Sequence, residues 1–560
     1  MQKNKQMQKN KRQNVNNVRS VIRQTVTGYA GLSLGILLAV AGAIVTALLP
    51  PWILGSIVDT ITVGNAVPVA LVILYFAFTV LNGLTESLRE GLLTVFGQKI
   101  THALRSSMMD KYTNLTADEL NRQEPGTIVS RFVGDVDTVE NLFTSGIISM
   151  FADACKIISI LVVIWLKNRG LAIVLLILLP FLYWFTRTVQ KNMLKAQIEN
   201  RRAVGRASGH VPETLHNIRT IHTLGKERYM EQRYDEYIAE SYRAVDRTNF
   251  YDAIYSPVIL ILNAIVVAVV MLFSASGNAR VLTLFGMSAG TAVAVINYIS
   301  QIFTPVESLG MEIQTIQSAI AGVHRINEFY ALEELPEKNS GVKPAEPQNR
   351  PENPFVELQN VTFVYEDDSR KILHHLNFQV YPGEQVTLSG RTGAGKSTVF
   401  KLLLGLYQPE EGKVLIQGRD AFQIPEHEKR SLYGYVEQTF HRVPGTVKDQ
   451  ITLYDDSFTM EEVRDAARIA GLDATIEQLE KGYDTLCTSE IFSQGQWQLL
   501  SIARAAVAKP KLLLLDEITA NLDAQTEEEV LQALKRAAEG RTVISISHRV
   551  NAETGRIIAI

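Results

Sequence analysis

Residues 390–398 read GRTGAGKST, a glycine, four residues and then Gly395-Lys396-Ser397, and their setting decides the fold of the second half of the chain. The strand-like run Glu384-Gln385-Val386-Thr387-Leu388 comes before and the helical run 397–404 after, which is the context in which this spacing has a mechanism. Glycines let the backbone turn so tightly that successive N–H groups point into one concavity, and the next helix adds its positive end there. Gly390, Arg391, Thr392, Gly393, Ala394, Gly395, Lys396, Ser397 and Thr398 therefore read as a phosphate cradle. Lys396 would reach the β- and γ-phosphate oxygens as a mobile charge, and the Ser397 hydroxyl would ligate the Mg2+ that bridges them. An ordinary glycine-rich turn is the weaker reading, because the loop and both flanks agree.

Downstream, Leu512-Leu513-Leu514-Leu515 ends in Asp516-Glu517, the way a buried strand presents carboxylates at its C-terminal edge. Asp516 is assigned to Mg2+ through water and Glu517 to polarising an attacking water as general base. His548 follows another strand-like run, 542–547. A lone histidine is usually structural, but this placement favours a γ-phosphate contact. Alternating segments at 355–363 and 378–388, then strand and helix in succession, predict a soluble α/β domain with parallel strands over 355–560.

Upstream the composition differs. The 560-residue chain is 46% hydrophobic, and most of that apolar content precedes residue 310. Six stretches, 28–49, 67–93, 142–166, 171–189, 254–274 and 281–303, each approach the ~20 residues a spanning helix needs. The fold expected is an α-helical polytopic membrane domain, 28–330, then a linker rich in proline and charge, 331–354, then the α/β domain. Residues 1–27 carry basic residues and no acid and read as a solvated cytoplasmic tail. Connections 94–141 and 190–253 are long, charged and helical in pattern, with reversals expected near 119–127 and 208–216 where glycine and proline occur. Their lysines and arginines place them and both termini in the cytoplasm. A net charge of −3 gives no case for a nucleic-acid partner, and Cys155 and Cys487 make no disulfide framework. Asp153 and Lys156, three apart on one face of the third span, and Asn297 and Gln301 on the sixth are candidates for a substrate pathway, with a structural Asp153–Lys156 ion pair as the alternative.

These residues resemble a half-transporter of the ATP-binding cassette (ABC) exporter family over nearly the whole chain. The family's Q-loop glutamine matches Gln438, also a Mg2+ ligand, its base-stacking aromatic Tyr365, its signature Phe492-Ser493-Gln494-Gly495-Gln496, its D-loop Ala520 to Asp523 and its switch histidine His548. Pro125-Gly126 through Asp137, and Ile218-Arg219-Thr220-Ile221, resemble its two cytoplasmic connections. The resemblance implies ATP-driven export in a membrane-embedded dimer, with ATP and Mg2+ held between one chain's phosphate loop and the other's Ser493, Gly495 and Gln496. An importer of the same architecture, or an ATP-gated channel or regulatory ATPase, are the alternatives. Phe492, Gln494 and Trp497 replace the usual leucine, glycine and basic residue, which favours a heterodimer with a second half-transporter over a homodimer. Too few residues follow His548 for the strands the family has there.

Overall fold

The computed structural model describes residues 17–274, 288–335, 353–365, 370–391, 393–517, 524–546 and 555–560. Contacts divide the chain into two compact units, residues 1–114 with 123–333, and residues 115–122 with 334–560.

Chain order gives α1 (Val18–Gly28), α2 (Ala30–Thr62), α3 (Val69–Thr113), a short α4 (Ala117–Arg122) that belongs to the second unit, α5 (Pro125–Lys167), α6 (Arg169–His216), α7 (Ile218–Leu224), α8 (Glu227–Ser274) and α9 (Ala289–Tyr330). Among the described residues six helices, α2, α3, α5, α6, α8 and α9, are long and apolar enough to cross a membrane. The 45 residues of α3 extend about 68 Å at about 1.5 Å each, twice the ~30 Å hydrocarbon core, so the helix continues well past its apolar part. Ile160, Ile164, Leu171, Leu175, Ile259, Ile299 and Ile302 pack into one buried cluster between helices. Leu37, Phe76, Leu166 and Ile177 stand exposed instead, which in water would be costly and in lipid is not. Away from the apolar part, buried Asp135 accepts both Nε of Arg325, at 2.9 and 3.0 Å, and its NH2 group, fastening the first connection to α9.

Two expectations fail in this unit. Residues 18–28 are not a solvated tail: Val18, Val21 and Thr25 fall on one face of α1 and are buried, and the Val18 N–H donates to Asn327 Oδ1 at 2.9 Å. The second reversal lies later than 208–216, because α6 runs unbroken through Gly209 and Pro212. Asn217 ends it, and Gly225, at φ +60, turns the chain into α8. Pro212 removes only the one bond its missing N–H would give to the Ser208 carbonyl, and the helix continues past it for another turn.

The second unit has two sheets. β1 (Val356–Val364) and β2 (Lys371–Val380) pair antiparallel, and with β4 (Glu411–Ile416) and β5 (Arg419–Asp420) form a sheet of order β2-β1-β4-β5. β3 (Gln385–Ser389) belongs to the other sheet, so the segment 378–388 is two strands split by a turn at 381–384 rather than one. That second sheet is parallel, with β6 (Tyr433–Val436), β7 (Leu512–Asp516), β8 (Thr542–Ile546) and β9 (Arg556–Ala559) in the order β6-β7-β8-β3-β9. β9 is a strand beyond residue 548 that the sequence reading did not allow for. Its register on β3, Leu388 opposite Ile558, covers the edge that β3 would otherwise expose. Between and around the strands lie α10 (Lys396–Leu403), α11 (Glu426–Leu432), α12 (Val447–Thr452), α13 (Met460–Ala470), α14 (Asp473–Glu477), α15 (Gln494–Ala506) and α16 (Ala524–Ala538). One core lies between the sheets around Phe400, Leu402, Leu388 and Ile544; a second joins β7 to α13, α15 and α16 through Val463, Leu500, Leu513 and Val530.

Candidate nucleotide site

All strands of the parallel sheet end at the same edge. Leu388 and Asp516 both register against Ile546, one on each side, so the loop after β3 and the acids after β7 flank the end of β8. With adjacent strands about 4.8 Å apart, the two chemistries sit about 10 Å from each other. β6 adds Glu437 and Gln438 at the same edge, since Val436 pairs with Leu515.

Glycine is required twice in the phosphate loop. Gly395 has φ +98 and caps α10, and a Cβ there would meet Leu373 Cδ2 at 2.6 Å; a Cβ on Gly390 would meet the Ile560 carbonyl at 2.7 Å. Lys396 is 5% exposed, and its Nζ donates to the carbonyls of Gly390 at 2.9 Å and Arg391 at 3.2 Å. The ammonium thus occupies the middle of its own loop, held by neutral acceptors that anionic phosphate oxygens would outcompete. Ser397 is exposed, as a metal or phosphate ligand must be. Thr398 is buried, with its hydroxyl 3.1 Å from the Tyr365 hydroxyl, so its contact in this structure is structural. Thr392 lies outside the described residues, as do Asp523 and His548.

Tyr365 is edge-on to Phe363 and Tyr407, with centroids 4.8 and 5.5 Å away, and Lys401 lies over its ring at 5.3 Å. Tyr407 in turn accepts from Asn121 Nδ2 of α4 at 2.9 Å, and burial, then the Asp118 carboxylate, push its hydroxyl above the ordinary tyrosine range. Ala117 packs on the same core. An unbroken chain of contacts therefore runs from α4 through Tyr407 to Tyr365 and Thr398, which the sequence alone did not reveal.

Asp516 receives the Tyr435 hydroxyl at 3.3 Å; burial, with Glu517 and Glu437 adding to it, holds its carboxyl above the usual aspartate range. A half-buried carboxylate at the same sheet edge as an exposed serine hydroxyl fits Mg2+, which these few protein oxygens would hold. Glu517 has φ +43, a left-handed conformation that costs a non-glycine residue on the order of 1–3 kcal/mol, and its N–H is held by the Ile546 carbonyl at 3.2 Å. Such strain at the end of a buried strand sets the direction of the carboxylate.

Ser493 caps α15: its Oγ accepts the Gln496 N–H at 3.3 Å, and its own N–H donates to Gln496 Oε1 at 2.9 Å. Gly495 is buried, and a Cβ there would fall 1.9 Å from Thr526 Cγ2. Phe492 meets Trp497 edge-on at 5.1 Å, and Trp497 stacks on Phe440 at 5.3 Å beneath Arg442. Gln498 Nε2 donates to the Gln438 carbonyl at 2.6 Å, tying α15 to the loop after β6. In the first unit Ser308 Oγ donates to Asp153 Oδ2 at 3.1 Å, Asn297 is exposed and Gln301 half-buried, and no ion pair joins Asp153 to Lys156 among the described residues.

Residues 32–306 match the family model described as the ABC transporter transmembrane region, and residues 373–520 match the model described as ABC transporter. An ATM1-type heavy metal exporter of Novosphingobium aromaticivorans is 29% identical over 95% of this chain and 86% of its own length. A fatty acid ABC transporter ATP-binding/permease protein of Mycobacterium bovis is 28% identical over 82% of this chain and 72% of its own. Among solved structures, a bacterial Atm1-family ABC exporter with ATP bound aligns with a TM-score of 0.73 at 26% identity, covering 97% of this chain and 94% of that one.

Proposed function

The chain belongs to the ABC transporter family, with membrane and ATP-binding regions fused as an ATPase coupled to transport, and from that premise we propose that it exports a small molecule, lipid or peptide as one half of a heterodimer. The observation that carries the reading is the shared sheet edge, at which the segments carrying Lys396 and Ser397, Gln438, and Asp516 and Glu517 all emerge. Lys396 leaves the Gly390 and Arg391 carbonyls for phosphate oxygens. Ser397 and Asp516, with Gln438, would hold Mg2+, which would supply charge neutralisation at the phosphates. Glu517 accepts the proton of the attacking water, and His548 and Asp523 are assigned to the same site by the family resemblance. Ser493, Gly495 and Gln496 serve the partner's nucleotide through the positive end of α15. The basic connections keep the ATP-binding unit in the cytoplasm, and α4, seated on Tyr407, passes the cycle to the helices.

The test is Glu517→Gln. ATP binding survives while turnover at this chain's phosphate loop falls about 10²–10⁴-fold, the usual worth of a positioned base. Unchanged single-turnover hydrolysis at that loop overturns the assignment. For the partner, the chain is expressed alone and with the other half-transporters of its source: a stable homodimer with full substrate-stimulated ATPase, unaltered by co-expression, overturns the heterodimer.

A further inference from the structure

α9 carries a polar face inside an otherwise apolar bundle. Asn297, Gln301, Pro305, Ser308 and Glu312 follow one another at spacings of four, four, three and four, the repeat of a single helix face. Two of these residues are hydrogen-bond acceptors without donors. Glu312 is 6% exposed, yet its Oε2 is shut off from solvent with no hydrogen-bond partner, and Gln301 Oε1 is in the same condition. Glu312 lies at hydrogen-bonding range of Asp153 and Ser308, and the charge of Arg89 of α3 reaches it from farther away. Ser308 gives its hydroxyl to Asp153 Oδ2 at 3.1 Å, with the Pro305 carbonyl 3.0 Å away as the alternative acceptor. Arg89 gives its NH2 group to Glu86 at 2.7 Å, while its Nε is buried without a partner. No lysine or arginine forms an ion pair with Asp153 or Glu312 among the described residues, and Lys156 forms none either.

Two adjacent carboxylates, the more buried of them with one oxygen that lacks a donor, have no cation at ion-pair distance among the described residues. The cost of an unpaired buried acceptor is relieved by an N–H, and that of unpaired charge by a positive group, so one protonated amine meets both needs. A metal ion fits less well, since no group of three metal-ligating side chains occurs among the described residues. An anionic headgroup would face two like charges. We propose that Asp153 and Glu312 form a binding site for an organic ammonium group of the cargo. This rests on the exporter reading for the meaning of the word cargo, but the binding does not depend on ATP.

Three probes of equal chain length separate the outcomes: octylammonium, octanol and octanoate, titrated without nucleotide into the full-length protein, with its partner where one is required, in lipid nanodiscs. Octylammonium binds about tenfold or more tightly than octanol, and octanoate binds more weakly than either. Glu312→Gln and Asp153→Asn each reduce the ammonium preference, and together they abolish it while octanol binding stays. Ser308→Ala, which removes a neutral donor and no charge, keeps the preference and controls for disturbed packing. Equal binding of octylammonium and octanol by the unaltered protein overturns the proposal, as does a preference that survives in the Asp153→Asn/Glu312→Gln double variant. ATP turnover is read separately on the same preparations. Hydrolysis lost with Glu517→Gln alongside absent ammonium preference condemns this site alone, whereas hydrolysis unaffected by Glu517→Gln condemns the transporter reading whatever the amines do.

Discussion

Replacing Gly495 by alanine puts one carbon where the chain has no room. The added Cβ would lie 1.9 Å from Thr526 Cγ2 and 3.3 Å from Thr526 Cβ, so either α15 retreats from α16 or the threonine leaves its rotamer. Overpacking of this kind costs about 1–3 kcal/mol. For a domain of this size each kcal/mol moves the unfolding midpoint about 2–4 °C, which sets the shift to look for in the cassette's transition. Thr526→Ser removes the clashing methyl and keeps the hydroxyl, so the double variant Gly495→Ala/Thr526→Ser recovers most of the loss. The coupling energy from the four proteins then approaches the single-variant cost. Thermal unfolding of the full-length protein, followed with ATPase activity, separates two reasons for a glycine at the signature. If packing within the chain demands it, stability and activity return together in the double variant. If the demand comes from nucleotide approaching across the dimer, stability returns and activity does not. A Gly495→Ala protein as stable as the original would refute the geometric argument outright.

Removing the Asn121 amide deprives the Tyr407 hydroxyl of its donor while leaving α4 in place. Asn121→Ala is therefore expected to keep basal ATPase near its original level but lower the fold-stimulation by transported compound, and unchanged stimulation would count against α4 as the coupling element. Asp135→Ala leaves Arg325 without the carboxylate that takes its Nε at 2.9 and 3.0 Å. With the arginine half exposed, the loss is expected near the ~1.5–3 kcal/mol of a hydrogen bond to a charged group rather than that of a fully buried pair, and Arg325→Lys, with Asp135 kept, is expected to lose much of the same because the bidentate fork is gone.

What the sequence made legible was local. The phosphate loop, the apolar strand ending in Asp516-Glu517 and the six apolar stretches each carry their evidence within about twenty consecutive residues, and the structure has a loop, an edge and a set of helices there. What it hid was set by distant partners. Nothing near Val18 announces that Asn327 will receive its N–H, so a basic segment read as solvated is a docked helix. Pro212 and Gly209 carried a turn signal, but the end of α6 is decided at Asn217 and Gly225. The split of 378–388 was visible in hindsight as Tyr381-Pro382-Gly383, a proline and glycine pair with Gly383 at φ +79, outweighed by the apolar alternation on either side. Glu312 was missed because a lone acid past the end of an apolar stretch looks solvated until its burial is known.

The altered signature does not act as three independent losses. Phe492 and Trp497 touch one another, Trp497 stacks on Phe440, and Arg442 lies over its outer face, so the two aromatic replacements are parts of one packed cluster against the second core. Gln494 belongs to a different class. It is exposed at the first position of α15 and lines a cleft of about 170 Å³ with Gln438 and Gln498. The two classes predict opposite results. Phe492→Leu opens a gap beside Trp497 and loses an aromatic pair worth about 0.5–1.5 kcal/mol, so it destabilises the cassette without gain of hydrolysis. Gln494→Gly exposes the N-terminal N–H groups of α15 and is expected to raise turnover at the partner's phosphate loop with little change in stability. In the proposed heterodimer, turnover there would be read with this chain's own site silenced by Glu517→Gln. If Phe492→Leu raised that rate and Gln494→Gly did not, the aromatic cluster rather than the exposed glutamine would be what sets this chain's signature apart.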